Sequence, residues 1–158
     1  MDANLPERLR LRLTPDAPAL AVSGGMPVVL LQPTQWLDAV RTLKTEFGFD
    51  MMLDVTAVDW PGDTLRFEVV LHLYSTRDLV RVRLKTRVPE DEPVVDSLVP
   101  LYGAAAFMER ECHDMFGIVF RGNADLRPIL LYEGFVGHPL RKDYPKHLEQ
   151  PLVPYRDA

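Results

Sequence analysis

The chain has 158 residues, of which 47% are hydrophobic and 26% charged, with a formal net charge of −5. That balance suits one globular domain with a moderate core and excludes collagen-like, low-complexity or wholly disordered chains. The negative charge disfavours general nucleic-acid binding, no apolar run approaches the ~18 residues of a membrane span, and a single cysteine, Cys112, excludes an internal disulfide or a Cys-rich metal site.

The opening, Leu5 to Leu13, fits two periods. Leu9, Leu11 and Leu13 alternate with arginines as in a strand, while Leu5, Leu9 and Leu13 form a helical stripe. No continuous apolar stretch follows Arg8, Arg10 and Arg12, so no secretory signal is expected. Ser23-Gly24-Gly25 reads as a turn and Val28 to Leu31 as a short strand. Pro33 to Phe47 is predicted as a helix, with proline in its first turn, Trp36, Leu37, Val40, Leu43 and Phe47 on one face, and Gly48 as its stop.

Leu53, Val55 and Ala57 alternate as a strand that Pro61-Gly62-Asp63 breaks. Leu65 to Leu73 and Val80 to Leu84 alternate cleanly and are joined by a short polar link, which predicts an antiparallel hairpin. One face of that sheet is apolar and the other charged, so one side is covered and the other is wet or partnered. An acidic loop, Pro89 to Pro93, precedes a predicted helix over 104–116. Ala104, Phe107, Met108, Cys112 and Met115 mark its buried side, and Glu109/His113 and Arg110/Asp114 are expected as pairs on its polar side. Gly117 ends it, and Ile118 to Phe120 follows as a short strand.

Pro128, Pro139, Pro145, Pro151 and Pro154 punctuate the remainder, among 14 prolines in all. They exclude long helices and central strands. Yet the stretch is rich in apolar residues, including Ile129, Leu130, Phe135, Val136, Leu140, Leu152, Val153 and Tyr155, so it must pack on the domain or on another protein. The predicted organisation is an α/β (α+β) two-layer domain over residues 1–120, with a mixed, largely antiparallel sheet and helices on one face. An extended proline-rich C-terminal segment over 121–158 follows and packs on that domain or on another protein.

No catalytic, cofactor or metal motif is evident. Cys112-His113-Asp114 sit at consecutive helical positions about 100° apart and do not converge on a substrate. No HxxxH, HExxH or CxxC pair suggests a metal site, and Gly134-Phe135-Val136-Gly137 lacks the spacing of a dinucleotide loop. His72 reads as a satisfied surface or interface residue. What remains is dense charge in two stretches: Glu109, Arg110, Glu111 and Asp114, then His138, Arg141, Lys142 and Asp143. Arg141 suits a bidentate grip on a carboxylate such as Glu109, Glu111 or one on a partner.

These stretches carry a family resemblance. Glu109-Arg110-Glu111-Cys112-His113-Asp114-Met115-Phe116-Gly117-Ile118, then Asp125-Leu126-Arg127, then Gly134-Phe135-Val136-Gly137-His138-Pro139-Leu140-Arg141-Lys142-Asp143-Tyr144-Pro145 resemble the 30 kDa subunit (the C subunit) of respiratory complex I, NADH:quinone oxidoreductase. Leu53-Asp54-Val55-Thr56-Ala57-Val58-Asp59, Arg66-Phe67-Glu68-Val69-Val70 and Arg81-Val82-Arg83 agree too, and the match runs over about residues 26–145. The sequence departs from the family pattern at Asn123-Ala124, where the family has His-Pro, and at Phe107 and Pro128.

The resemblance implies a noncatalytic structural and assembly subunit in the peripheral arm of a proton-translocating translocase that moves electrons from NADH to quinone. FMN and Fe-S clusters would lie in partner subunits and none in this chain. The implied partners are the 49 kDa subunit (the D subunit) and the Fe-S subunits. The implied location is the cytoplasmic side of the bacterial inner membrane, with membrane contact only through the complex. The family also favours a helix for the ambiguous N-terminus. Glu109, Arg110, Glu111, Asp114 and Arg127 are expected to brace the turn into the segment, and His138, Arg141, Lys142 and Asp143 to anchor it to the partner. The alternatives are the equivalent subunit of a membrane-bound hydrogenase or other-donor dehydrogenase, an independent Cys/His hydrolase, and a free-standing binding module.

Overall fold

A computed structural model describes residues 4–16, 20–148 and 150. The expected packing of Leu152, Val153 and Tyr155, and the prolines Pro151 and Pro154, lie outside the described residues. In chain order the elements are α1 (Leu5–Leu13), β1 (Ala21–Ser23), β2 (Met26–Leu31), a 3-10 turn (Pro33–Gln35), α2 (Trp36–Glu46), β3 (Met51–Asp59), β4 (Phe67–Ser75), β5 (Val80–Val88), β6 (Val94–Asp96), α3 (Ala105–Phe116) and β7 (Val119–Arg121).

The open choice at the N-terminus resolves as a helix, because Leu5, Leu9 and Leu13 on one stripe join the core while Leu11 stays exposed. α2 begins after the proline turn and buries Trp36, Ala39, Val40 and Leu43; Gly48, at φ +70°, stops it. The predicted hairpin is β4–β5, in continuous register from Phe67↔Val88 to Ser75↔Val80. The sheet runs β1-β2-β5-β4-β3. Every pairing in it is antiparallel except β2 with β5, so the sheet is mixed as expected. A bulge at Leu53 shifts the β3 register, placing Val55 and Ala57 in the core and Asp54 beside His72.

The inward residues of the sheet, among them Val29, Val69, Leu71, Val82 and Leu84, share one core with the apolar sides of the three helices. The opposite sheet face carries the charged alternates. β1 and β6 escape sequence reading because each has three residues and is defined by its partner: β1 by β2, β6 by a parallel pairing with β7.

α3 is rotated relative to the sequence expectation. Ala104 is exposed and Phe107 is 63% exposed, while Glu109 and Asp114 are buried beside Ala105, Cys112, Met115 and Phe116. The predicted Glu109/His113 and Arg110/Asp114 surface pairs therefore do not form. Each of these side chains bonds instead to a loop or to the C-terminal segment.

Candidate functional site

Beyond Arg121 the described residues form turns and bends, and they cross α3 and the open ends of β3 and β4. The polar residues singled out in the sequence converge on this crossing. Glu109 is fully buried. Its carboxylate accepts from Ser97 Oγ at 2.7 Å, from the Leu98 amide at 2.6 Å and from Asn123 Nδ2 at 2.9 Å. Burial raises its pKa, and these three donors counter only part of that. Asn123, where the family pattern is departed from, thus supplies a donor; its Oδ1 also accepts the Asp125 amide at 3.0 Å, closing a tight turn. Arg110 donates to the carbonyls of Arg127 and Pro128 at 3.0 and 2.9 Å.

Asp114 is buried too and fastens the next stretch. Its Oδ2 accepts the successive amides of Ile129, Leu130 and Leu131 at 3.1, 2.9 and 2.9 Å. Burial alone would raise its pKa, yet the three amides together hold it below the ordinary carboxylate value. A carboxyl whose folded pKa is depressed stabilises fully above its unfolded value, and that stability is lost as the pH falls through the folded one. Asp114→Asn is therefore expected to cost about 1–3 kcal/mol near neutral pH and to flatten the loss of stability below about pH 4. Urea unfolding between pH 7 and pH 3 measures both; an unchanged acid slope would refute the assignment.

The second half of the crossing meets α3 and the β3–β4 end. His138 donates from Nδ1 to the Asp114 carbonyl at 3.0 Å, and the Leu140 amide donates to the Met115 carbonyl at 3.2 Å. Arg141 does not grip Glu109 or Glu111. It donates to the Phe116 carbonyl at 2.7 Å, with its guanidinium 4.8 Å from the centre of the Phe67 ring. Gly117, at φ +77°, makes room: a Cβ there would stand 2.5 Å from His138 Nε2 and 2.6 Å from Arg141 Nη2.

The carboxylate clamp belongs instead to Arg66, which is 5% exposed. It pairs with buried Asp59 through Nε–Oδ1 at 2.7 Å and Nη2–Oδ2 at 2.9 Å, with Asp143 at 2.7 Å, and with Glu90 of the acidic loop at 2.6 Å. Asp59 also accepts the Lys142 amide at 2.7 Å. The hydrogen bond from Arg66 leads the causes that hold Asp59 below its ordinary pKa, against the opposing effect of burial. A signal for this clamp existed in the sequence: Asp59 continues the Val55–Ala57 alternation onto the core side, where a carboxylate needs a partner.

Two singled-out side chains take no part. Glu111 is exposed, and Arg127 is 82% exposed and pairs with neighbouring Asp125. The Lys142 side chain is exposed, and only its amide fastens. Cys112 is buried, and burial pushes its thiol above the ordinary value, the direction opposite to the one a Cys/His hydrolase needs. Among the described residues no group of three or more His, Cys, Asp or Glu is placed to hold a metal ion. No helix among them is long and apolar enough to cross a membrane.

These features define a two-layer α/β domain whose C-terminal segment is fastened across its last helix by buried carboxylates and a buried arginine. The chain belongs to the family described as respiratory-chain NADH dehydrogenase, 30 Kd subunit, whose model matches residues 29–150. The C subunit of the NADH-quinone oxidoreductase of Agrobacterium fabrum is 53% identical over 98 residues, 62% of this chain and 48% of that one. The chain thus spans about half the length of that curated relative. The joined C/D subunit of Bdellovibrio bacteriovorus is 45% identical over 77% of this chain and 22% of its own length. Among solved structures, a trypsin-resistant fragment of Nqo5 matches with 32% identity and a TM-score of 0.63, over 68% of this chain and 88% of that one. A chain of an archaeal membrane-bound sulfane sulfur reductase matches with 25% identity and a TM-score of 0.74, over 96% of this chain and 97% of that one.

Proposed function

We propose that this chain is a noncatalytic assembly subunit of the peripheral arm of a proton-translocating NADH:quinone oxidoreductase. One observation carries the reading. Glu109, Arg110, Asp114, His138, Arg141 and Asp143 of the two family-like stretches are spent on fastening the C-terminal segment to its own domain. The fastened segment and α3 then hold large apolar side chains in the open: Leu130 is 62%, Val136 73%, Leu140 51%, Leu148 51% and Phe107 63% exposed. Exposed apolar side chains held in place by a rigid frame mark a protein interface.

The names of the relatives supply the machine. The joined C/D relative supports the 49 kDa subunit, the D subunit, as a neighbour. FMN and Fe-S clusters belong, on this reading, to partner subunits, and the chain reaches the cytoplasmic side of the membrane only through them. His138, Arg141, Lys142 and Asp143 then serve the partner indirectly, by setting the shape of the segment. A second reading, the same subunit in a complex using another donor, is favoured by the likeness to the sulfane sulfur reductase chain.

Affinity purification of the tagged chain from gently solubilised membranes tests this. The expected eluate is an assembly of several hundred kilodaltons with flavin and iron–sulfur absorbance and NADH–quinone activity. A large assembly indifferent to NADH would move the chain to the second reading. A colourless monomer would overturn both.

A further inference from the structure

The sheet face away from the helices is open, and its chemistry is uneven. β5 lies at the centre of the sheet and presents Arg81, Arg83, Lys85 and Arg87 at alternate positions on that face. The register sets Tyr74, His72, Val70 and Glu68 beside them on β4, and Val28 and Leu30 beside Arg83 and Lys85 on β2. Val28 and Val70 are buried yet stand apart from the main core, so they form an apolar floor of this outer face.

The cations are not equally partnered. Lys85 pairs with Glu68 and Arg87 with Asp63, each at 2.7 Å. Arg83 donates to His72 Nε2 at 2.8 Å, and Arg81 lies 5.9 Å over the Tyr74 ring. Among the described residues, neither Arg81 nor Arg83 has a carboxylate within ion-pair distance. Because Arg83 Nε–H donates to it, His72 Nε2 accepts, and burial first and Arg83 second hold the His72 pKa below the ordinary value. Among the described residues, then, the face has two arginines unmatched by carboxylate, in a chain whose net charge is −5.

At the other end of the row lies a hollow of about 370 Å³ bordered by Leu30, Gln32, Leu65, Glu68, Lys85 and Arg87. Leu30 is 67% and Leu65 41% exposed. Arg87 Nε, at this hollow, is buried without a hydrogen-bond partner. Buried polar groups left unsatisfied cost stability unless something else supplies the acceptor.

We propose that this outer sheet face is a second docking surface, distinct from the fastened segment, for an acidic segment of a partner protein. An apolar side chain of that segment sits in the Leu30–Leu65 hollow and its carboxylates meet Arg83 and Arg81. Alternate strand residues repeat at about 6.8 Å, so an extended partner segment with carboxylates at every second position matches the row. Charge complementarity of this kind selects the partner and its orientation. The proposal rests on the reading of the chain as an assembly subunit and not on which donor the assembly uses.

The test uses the full tagged chain in cells that build the native complex. Tyr74→p-benzoylphenylalanine places a photo-crosslinker beside Arg81. After irradiation, mass spectrometry is expected to find it joined to an Asp/Glu-rich peptide of another subunit. Arg81→Glu with Arg83→Glu is expected to lower recovery of that subunit about tenfold, and Arg81→Lys with Arg83→Lys to restore most of it. Melting of the isolated chains separates this loss from misfolding. Cross-links only to lipid, to a second copy or to this chain's own termini, or full recovery with the double glutamate variant, would overturn the proposal. A tagged chain already free of any assembly before irradiation would instead mark failure of the assembly reading itself.

Discussion

Arg66→Ala is expected to lower the stability of the domain by about 3–5 kcal/mol, because it leaves a buried carboxylate without its counter-charge. Asp59 is 4% exposed, and its carboxylate accepts from the Arg66 guanidinium and the Lys142 amide. For a chain of this size the loss corresponds to a drop in Tm on the order of 10 °C. The same side chain ties three separate pieces together: the end of β3 through Asp59, the acidic loop through Glu90, and the C-terminal segment through Asp143. Glu90 and Asp143 are more than half exposed, so their share of the loss is small. Arg66→Met with Asp59→Asn should cost clearly less than Arg66→Ala alone, since that double variant leaves no unpaired buried charge at this clamp. Chemical denaturation of the three proteins decides it. A loss under about 1 kcal/mol for Arg66→Ala would show that Asp59 is satisfied without the arginine.

Gly117→Ala is expected to act on the segment rather than on the domain alone. The left-handed backbone at φ +77° costs a non-glycine residue about 1–2 kcal/mol. The added Cβ would also collide with His138 and Arg141 at 2.5 and 2.6 Å, so their bonds to the Asp114 and Phe116 carbonyls must lengthen or break. Limited proteolysis should then cut faster at Arg141 and Lys142 than in the parent chain. Gly134→Ala is the matched control. Gly134 has φ +93° but nothing within 4 Å of its would-be Cβ, so it carries the backbone cost without the collision. Equal cleavage rates in the two variants would remove the steric role of Gly117. Assembly into the complex should suffer more from Gly117→Ala than from Gly134→Ala, because the first misplaces the exposed apolar side chains that the segment presents.

Local pattern was sufficient where burial follows a period. The alternation of Phe67, Val69, Leu71 and Leu73 against Val80, Val82 and Leu84 specifies a hairpin with one inward face. The Trp36–Val40–Leu43 stripe and Gly48 define α2, and Gly117 ends α3 as its sequence position suggested. The long charged motifs pointed to the family from sequence, and the family model agrees over residues 29–150.

The rotation of α3 was decided by tertiary structure. Its apolar residues alone favour burying Phe107, yet Glu109 and Asp114 are inside. Their donors come from Ser97, Leu98, Asn123 and the amides of residues 129–131, positions 11–17 residues away in sequence. The Arg66–Asp143 and Lys142–Asp59 contacts span 77 and 83 residues. The two periods that fit Leu5–Leu13 were separated only by the core those leucines enter. Hydrophobic periodicity is a local property of the chain. Whether a buried charge is tolerated depends on donors that folding brings from elsewhere, and no spacing within one helix encodes them.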